Sequence, residues 1–278
     1  MPELPEVEFA ARILRRWMGG RRVDSVEAEP SRIFRGSDRG EFLRLLPRKT
    51  LEWVERRGKY LLLGFSENVG LLNHLGMTGK WVRAPRGGEL PSHVRARFEL
   101  EGGVVVGYRD PRLFGRMAVH PADALFSLPE IRGLGPDPLV DGLDADALHR
   151  RLSRSRRPIK VALMEQSIVA GVGNIQATDA LFLAGVHPAR PACELSREEV
   201  GRVVAAILES IERTLEVQGE DDSITYVEEA RSQNPFLIYG RAGAPCPRCG
   251  TELQKMELGG RTSVFCPRCQ PTSSETKK

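Results

Sequence analysis

Gly133-Leu134-Gly135-Pro136-Asp137-Pro138 is the stretch at which the pattern of the chain changes. Glycine and proline at this density break both helix and strand and mark a connection between folding units. Upstream of it, short apolar runs are separated by glycine, proline and charge: Tyr60-Leu61-Leu62-Leu63, Val69-Gly70-Leu71-Leu72, Ala96-Arg97-Phe98-Glu99-Leu100 and Val104-Val105-Val106. That is the pattern of antiparallel strands. Downstream the period becomes helical. Asp144 caps a helix through about Leu152, Pro158 opens another through Gln166, and Asn174 starts a third that ends near Gly185. Ser196 with Glu199 forms a capping box for a fourth, which puts Val200, Val203, Val204, Ile207, Ile211 and Leu215 on one face. A further helix leads the strands: Val7, Ala10, Ala11, Leu14, Trp17 and Met18 share a face, and Gly19-Gly20 ends it. A leading helix, a block of strands and then a block of helices predict an α+β multidomain protein.

The length of 278 residues suits two domains with an appendage. A net charge of +4 and a pI near 8.9 permit a polyanionic partner without identifying one. No apolar run is long enough for a membrane helix, and the acidic, proline-containing start lacks the basic and apolar regions of a signal peptide, so a cytoplasmic, nucleoid-associated protein is expected. Four of the five cysteines fall into two pairs, Cys246-Pro247-Arg248-Cys249 and Cys266-Pro267-Arg268-Cys269, with sixteen residues between them. Each Cys-x-x-Cys knuckle turns two sulfurs toward one ion, so the pairs predict a single structural zinc. Cys193 stands apart and reads as a small core hydrophobe. The residues from Pro271, rich in Ser, Thr and Lys, read as a disordered tail.

Four clusters carry possible chemistry, and each has a purely structural alternative. Removal of Met1 leaves Pro2 as a secondary amine, whose pKa near ~8 keeps a useful fraction nucleophilic at neutral pH; equally, Pro5, Glu6 and Glu8 suit a helix start. Arg56-Arg57-Gly58-Lys59-Tyr60-Leu61 sets a lysine at the head of an apolar strand, either solvated or reaching a phosphate. Arg109-Asp110-Pro111-Arg112-Leu113-Phe114-Gly115 offers Phe114 as a wedge and Arg112 as the partner of an orphaned base, or else Phe114 as a core residue. Ala170-Gly171-Val172-Gly173-Asn174-Ile175 can cradle a phosphate at a helix N-terminus, with Asn174 and Lys160 as donors, or be a simple cap and turn.

Together with Pro2-Glu3-Leu4-Pro5-Glu6-Val7-Glu8, His74-Leu75-Gly76-Met77-Thr78-Gly79, Leu134-Gly135-Pro136-Asp137-Pro138-Leu139, Tyr239-Gly240-Arg241 and the cysteine pairs, these clusters resemble one family over nearly the whole chain. It is the formamidopyrimidine-DNA glycosylase and endonuclease VIII family of bifunctional repair enzymes. The resemblance implies an N-terminal β-sandwich with a leading helix over 1–132, a helix-two-turns-helix domain over 133–240, a zinc finger β-hairpin over 241–270 and a tail over 271–278. It implies Pro2 as the nucleophile, Glu3 as the acid-base carboxylate, Glu6 in support and Lys59 at the lesion and its phosphate. Met77, Arg112 and Phe114 would fill the gap left by the extruded nucleotide, which favours the formamidopyrimidine branch. His93, Arg112, Lys160, Asn174 and Arg261 would contact DNA, with Arg261 at the tip of the finger hairpin.

The function so implied is excision of oxidised purines from double-stranded DNA, with lyase action at abasic sites, by a monomer. Phe9 and Gln176 depart from the family pattern, and so does the acidic stretch Gly219-Glu220-Asp221-Asp222-Ser223-Ile224-Thr225-Tyr226-Val227 where the family is neutral or basic. Acidic groups near phosphates weaken binding, which leaves open a lesion range shifted to oxidised pyrimidines or bulky adducts. A protein that binds damaged DNA without cutting is the other alternative.

Overall fold

The computed structural model describes residues 2–35, 38–84, 88–217 and 236–272. The chain packs as two compact units that divide in sequence between Gly133 and Leu134. In the first, helix α1 (Leu4–Met18) is followed by β1 (Val23–Ala28), α2 (Arg39–Leu45), β2 (Leu51–Arg57), β3 (Tyr60–Phe65), β4 (Val69–His74) and β5 (Lys80–Arg83). Strands β6 (Val94–Leu100), β7 (Val104–Arg109) and β8 (Arg116–Pro121) and the short α3 (Pro129–Arg132) complete it. The strands form two antiparallel sheets, β1-β6-β7-β5 and β2-β3-β4-β8.

Both sheets share one core. Leu61, Leu63 and Leu71 of one sheet and Trp81, Phe98 and Val106 of the other pack with Val7, Leu14 and Trp17 of α1. Phe34, Phe42, Phe98, Trp81 and Tyr108 run through it as a chain of rings with successive centroids 5.2 to 5.6 Å apart. Phe9, the first departure from the family pattern, is part of this core. Strand β3 is apolar without alternation because both its faces are covered: every residue from Leu61 to Phe65 is buried. On its outer face a Cβ at Gly64 would lie 1.9 Å from the Trp53 indole, which in turn stacks on Phe126 at 5.9 Å.

Helix α1 is tied to the β2–β3 hairpin by charge. Arg56, almost wholly buried, donates from Nε to Glu8 Oε2 at 2.9 Å and from Nη1 to Gly58 O at 3.1 Å. Burial works to raise the Glu8 carboxyl pKa, but the Arg56 and Arg12 guanidinium groups overcome it and hold it below the ordinary value.

The second unit contains α4 (Ala145–Leu152), α5 (Ile159–Leu163), α6 (Asn174–Ala184) and α7 (Arg197–Val217), then the hairpin β9 (Gln254–Leu258) and β10 (Arg261–Phe265). Asp144 caps α4 through Ala147 N at 2.6 Å, and the Ser196–Glu199 box caps α7. Helix α5 ends at Leu163, short of the expected Gln166. The reason is Gln166 itself. Its amide donates to Met164 O at 2.9 Å and Val172 O at 2.8 Å and accepts from Gly171 N at 2.9 Å, so it builds a turn in place of another helical residue. The α6 N-cap is Gly173 and not Asn174, and Gly185 in the left-handed conformation closes the helix.

Helix α6 is buried nearly all round, and its three internal polar residues are satisfied, Thr178 by donating to Asn174 O at 2.7 Å. Gln176, the second departure, donates to Thr214 Oγ1 at 3.0 Å and accepts from Ser210 Oγ at 2.7 Å, both on α7. Asp179 accepts from the backbone N–H groups of Leu237, Ile238 and Tyr239 at 2.6, 3.2 and 3.1 Å; burial nevertheless holds its carboxyl pKa above the ordinary value. The finger belongs to the same unit: Phe182 packs with Ile238, Leu253 and Val264, and Arg248 donates to Phe182 O and Leu183 O at 2.8 and 3.0 Å. The altered stretch 219–227 and the tail beyond Thr272 lie outside the described residues.

Replacing Arg56 with Met keeps most of its bulk and takes the inner partner from Glu8, leaving Arg12 on the outer oxygen. The Arg56→Met protein is expected to lose on the order of 3 kcal/mol, read as a lower urea midpoint against wild type, whereas Arg12→Met, at the exposed end of the same carboxylate, should lose well under 1 kcal/mol.

Candidate functional site

In the first unit the start of α1 is built around two carboxyls. Pro2, Glu3 and Glu6 are all buried. Glu3 N donates to Glu6 Oε2 at 2.8 Å while the Glu3 side chain accepts from the Glu6 backbone, a reciprocal capping box made by glutamate in place of serine or threonine. Burial, reinforced by the charge of Glu3, raises the Glu6 carboxyl to about 7. Glu6 is thus a reservoir that changes protonation near neutral pH.

Lys59 stands in the β2–β3 turn of the same unit. Gly58 sits at φ +55, so the hairpin closes tightly on Gly58-Lys59. The Arg56 bridge then fixes this turn to Glu8, two residues beyond Glu6 on α1. His74, which pairs with Tyr60 across the sheet, feels the Lys59 charge. Burial first and Lys59 second lower its pKa to about 4, and its Nδ1 accepts from Gly76 N at 3.0 Å, as a neutral imidazole must. His74 was not among the site residues read from the sequence. A polar ring at a strand end inside a quoted motif was the available signal.

Met77, Arg112 and Phe114 come from two loops that touch backbone to backbone. A Cβ at Gly76 would lie 2.4 Å from the Phe114 carbonyl carbon. The Arg112 guanidinium lies over the Phe114 ring, 4.9 Å from its centroid, and Met77 and Phe114 are 39% and 42% exposed. Large apolar side chains displayed beside a cation are costly to leave in water and suit insertion into a stack of bases. Sequence reading missed what holds the loops: Asp110, fully buried, which bonds Thr78, Arg112 and Gly115, and Arg35, whose Nη2 donates to Phe114 O at 3.0 Å. His93 is exposed, adopts φ +66 and accepts from Asp110 N at 3.0 Å through its carbonyl, which places it at the edge of the same loops.

The remaining predicted residues lie in the second unit. Asn174 opens α6, and its buried Oδ1 has no hydrogen-bond partner among the described residues. Arg261 is exposed at the first position of β10, immediately after the tight Gly259-Gly260 turn at φ +57 and +70, so the tip is the glycine pair. Lys160 departs from expectation. It is fully buried, and its Nζ donates to Thr262 O at 3.0 Å and Ser263 Oγ at 2.7 Å, so its ammonium braces the strand that carries Arg261. The apolar surroundings of α5 leave the charge no water, and the finger strand supplies the acceptors.

The thiolates of Cys246, Cys249, Cys266 and Cys269 lie within 4.8 Å of one another, with Cys246–Cys269 at 3.9 Å and Cys249–Cys266 at 3.5 Å. Sulfurs on a tetrahedral zinc are about 3.8 Å apart, as follows from a Zn–S bond of about 2.3 Å, so the donor set fits the ion.

Models of three domains match in the order that this geometry requires: the formamidopyrimidine-DNA glycosylase N-terminal domain over residues 1–117, its H2TH domain over 134–225 and a zinc finger found in FPG and IleRS over 243–272. The chain belongs to the formamidopyrimidine-DNA glycosylase family. It is 40% identical to the formamidopyrimidine-DNA glycosylase of an Exiguobacterium strain over 97% of this chain and 99% of that one. Among solved structures, Lactococcus lactis Fpg in complex with abasic-site DNA superposes with a TM-score of 0.87 at 30% identity over 97% of this chain and 99% of that one. A MutM complex with DNA containing carbocyclic 8-oxo-G gives the same TM-score and identity over 97% and 100%. The chain is therefore a DNA glycosylase with one structural zinc, held by four thiolates that leave no open coordination position. No helix among the described residues is long and apolar enough to cross a membrane.

Two measurements follow. A group whose folded pKa is raised contributes stability that is lost as pH rises through the folded value; one whose pKa is lowered loses its contribution as pH falls. Glu6 therefore penalises the fold as pH climbs from 4.5 through about 7, and His74 as pH drops from 6.5 through about 4. Each effect is on the order of 3 kcal/mol at most, and the two nearly cancel in wild type. Subtracting the wild-type profile from that of the Glu6→Gln variant isolates the Glu6 effect: the stability of the variant relative to wild type should rise steadily between pH 4.5 and 7 in urea titrations. Separately, stripping zinc with a strong chelator should abolish DNA binding measured by fluorescence anisotropy, and adding zinc back should restore it.

Proposed function

We propose that Pro2, freed by removal of Met1, is the nucleophile of a bifunctional glycosylase and abasic-site lyase that acts on oxidised purines. Its amine attacks C1′ of a flipped nucleotide, and the damaged base departs. Glu3 delivers a proton to the sugar ring oxygen as the ring opens, which leaves an iminium between Pro2 and C1′. Loss of a proton from C2′ then expels the 3′ phosphate, and a second elimination expels the 5′ phosphate. Lys59 holds the phosphate of the lesion as a point charge.

The observation that carries this reading is the Glu3–Glu6 capping box. It sets two carboxyls beside the first residues of the chain, one of them titrating near neutrality. A helix start alone would be served as well by serine at the cap. Met77 and Phe114 fill the stack and Arg112 pairs with the base left opposite. In the second unit Asn174 and Arg261 take backbone phosphates, with Lys160 fixing the strand under Arg261. A flip of the Asn174 amide puts its N–H2 where the unpartnered oxygen stands, the orientation a phosphate needs. The enzyme works as a monomer on chromosomal DNA.

The test is covalent trapping. Protein whose proline N-terminus has been verified by mass spectrometry should be captured on abasic duplex DNA by borohydride, and protein with Met1 retained should bind the same DNA without being captured. Capture of the Met1-retaining form would refute the assignment of Pro2. The acidic Glu220-Asp221-Asp222 favours a second reading, a shifted lesion range. Single-turnover excision of 8-oxoguanine, formamidopyrimidine and thymine glycol separates the two: the purine lesions should be removed fastest, and a preference for thymine glycol would establish the second reading.

A further inference from the structure

We infer that Asp110 is the positioning residue that locks Met77, Arg112 and Phe114 into one preset wedge, and so controls duplex processing and the choice of opposite base. The inference rests on the wedge reading of those residues. Asp110 is fully buried, and each of its three oxygens accepts a hydrogen bond. Oδ1 accepts from Thr78 Oγ1 at 2.7 Å and from Arg112 N at 3.3 Å, and Oδ2 accepts from Gly115 N at 2.7 Å. Its own N–H donates to His93 O at 3.0 Å, and its carbonyl accepts from Arg95 Nε at 3.1 Å. Thr78 is the neighbour of Met77, and Arg112 and Gly115 bracket Phe114. One carboxylate therefore grips both loops.

Two further observations show how tightly the loops are confined. A Cβ at Gly79 would lie 2.0 Å from Tyr108 Oη and one at Gly115 1.9 Å from it, so the backbone of both loops is pressed onto the same buried phenol. Leu113, between the two wedge residues of its loop, is held at φ +58, a conformation that a branched side chain adopts only when its surroundings impose it. The donors come from both sides of the carboxylate, so an amide cannot replace it. Whichever way Asn is turned, its N–H2 faces a backbone N–H, of Arg112 in one orientation and of Gly115 in the other.

Insertion of a wedge matters only where there is a stack to enter. Single-turnover cleavage should be compared on a single-stranded abasic oligonucleotide and on duplexes with the abasic site opposite cytosine or adenine. Asp110→Asn should lower the ratio of duplex to single-strand rate by about tenfold or more and flatten the cytosine-over-adenine preference. Thr78→Val, an isosteric change that removes one of the three bonds, should move both quantities the same way by less. Arg112→Ala and Phe114→Ala serve as references. If these two lower the duplex ratio while Asp110→Asn and Thr78→Val leave it at the wild-type value, the inference is overturned. An equal fall on single strand and duplex for Asp110→Asn also overturns it, because that is the mark of general damage. If Asp110→Asn does not fold, Thr78→Val decides by itself: an unchanged ratio rejects the inference. Wild-type ratios for Arg112→Ala and Phe114→Ala would instead reject the wedge reading.

Discussion

The buried pair of Arg56 and Glu8 is the contact on which the geometry of the first unit turns. Removing a guanidinium from water costs several kcal/mol, and an apolar pair of the same volume often gives an equal or more stable fold. Its value here lies in register. Apolar packing of α1 against β2, β3 and β5 tolerates small slides and rotations, whereas a charged hydrogen bond at 2.9 Å does not. Because the same guanidinium also holds Gly58 O, the turn that carries Lys59 and the helix that begins at Leu4 keep one relative position.

The second unit uses the same device with different groups. Asp179, Gln176 and Lys160 each carry a polar head into apolar surroundings, and each meets partners from an element distant in sequence: the segment 237–239, α7 and β10. An unmet group in such a place costs about 1 to 3 kcal/mol, which makes mispacked alternatives unfavourable. Helix α6 is thereby fixed in rotation although its sequence has little amphipathic pattern to do so.

Much of this was legible in the sequence. Periodicity placed the leading helix, the strands and the helices after Gly133, and the cysteine spacing gave the zinc, because both signals are short-range and depend on residue type alone. What escaped was long-range or combinatorial. Gln166 looks like a helix residue until Gly171 and Val172 come within its reach, and Asn174 looks like a cap until Gly173 takes that role. Lys160 looks like a surface cation until β10 covers it. Asp110 sits inside a motif singled out for its neighbours, yet its role appears only when Thr78, distant in sequence, supplies a hydroxyl. The candidate site residues were recognisable as types, but the groups that hold them were not, since positioning is a property of tertiary contact.

Leu113 and His93, both non-glycine residues in the left-handed region, flank Asp110 on its two sides. Each such residue stores roughly 1 to 3 kcal/mol of conformational strain, so, beside Arg48, Glu67 and Asn68 elsewhere in the unit, the surroundings of Asp110 are one of the places where the fold is not relaxed. Selection for thermal stability would find gains there, by substitutions that let these two residues relax. A variant obtained that way would melt later and work worse, because the tension it released is what keeps the loops in the shape the reaction uses.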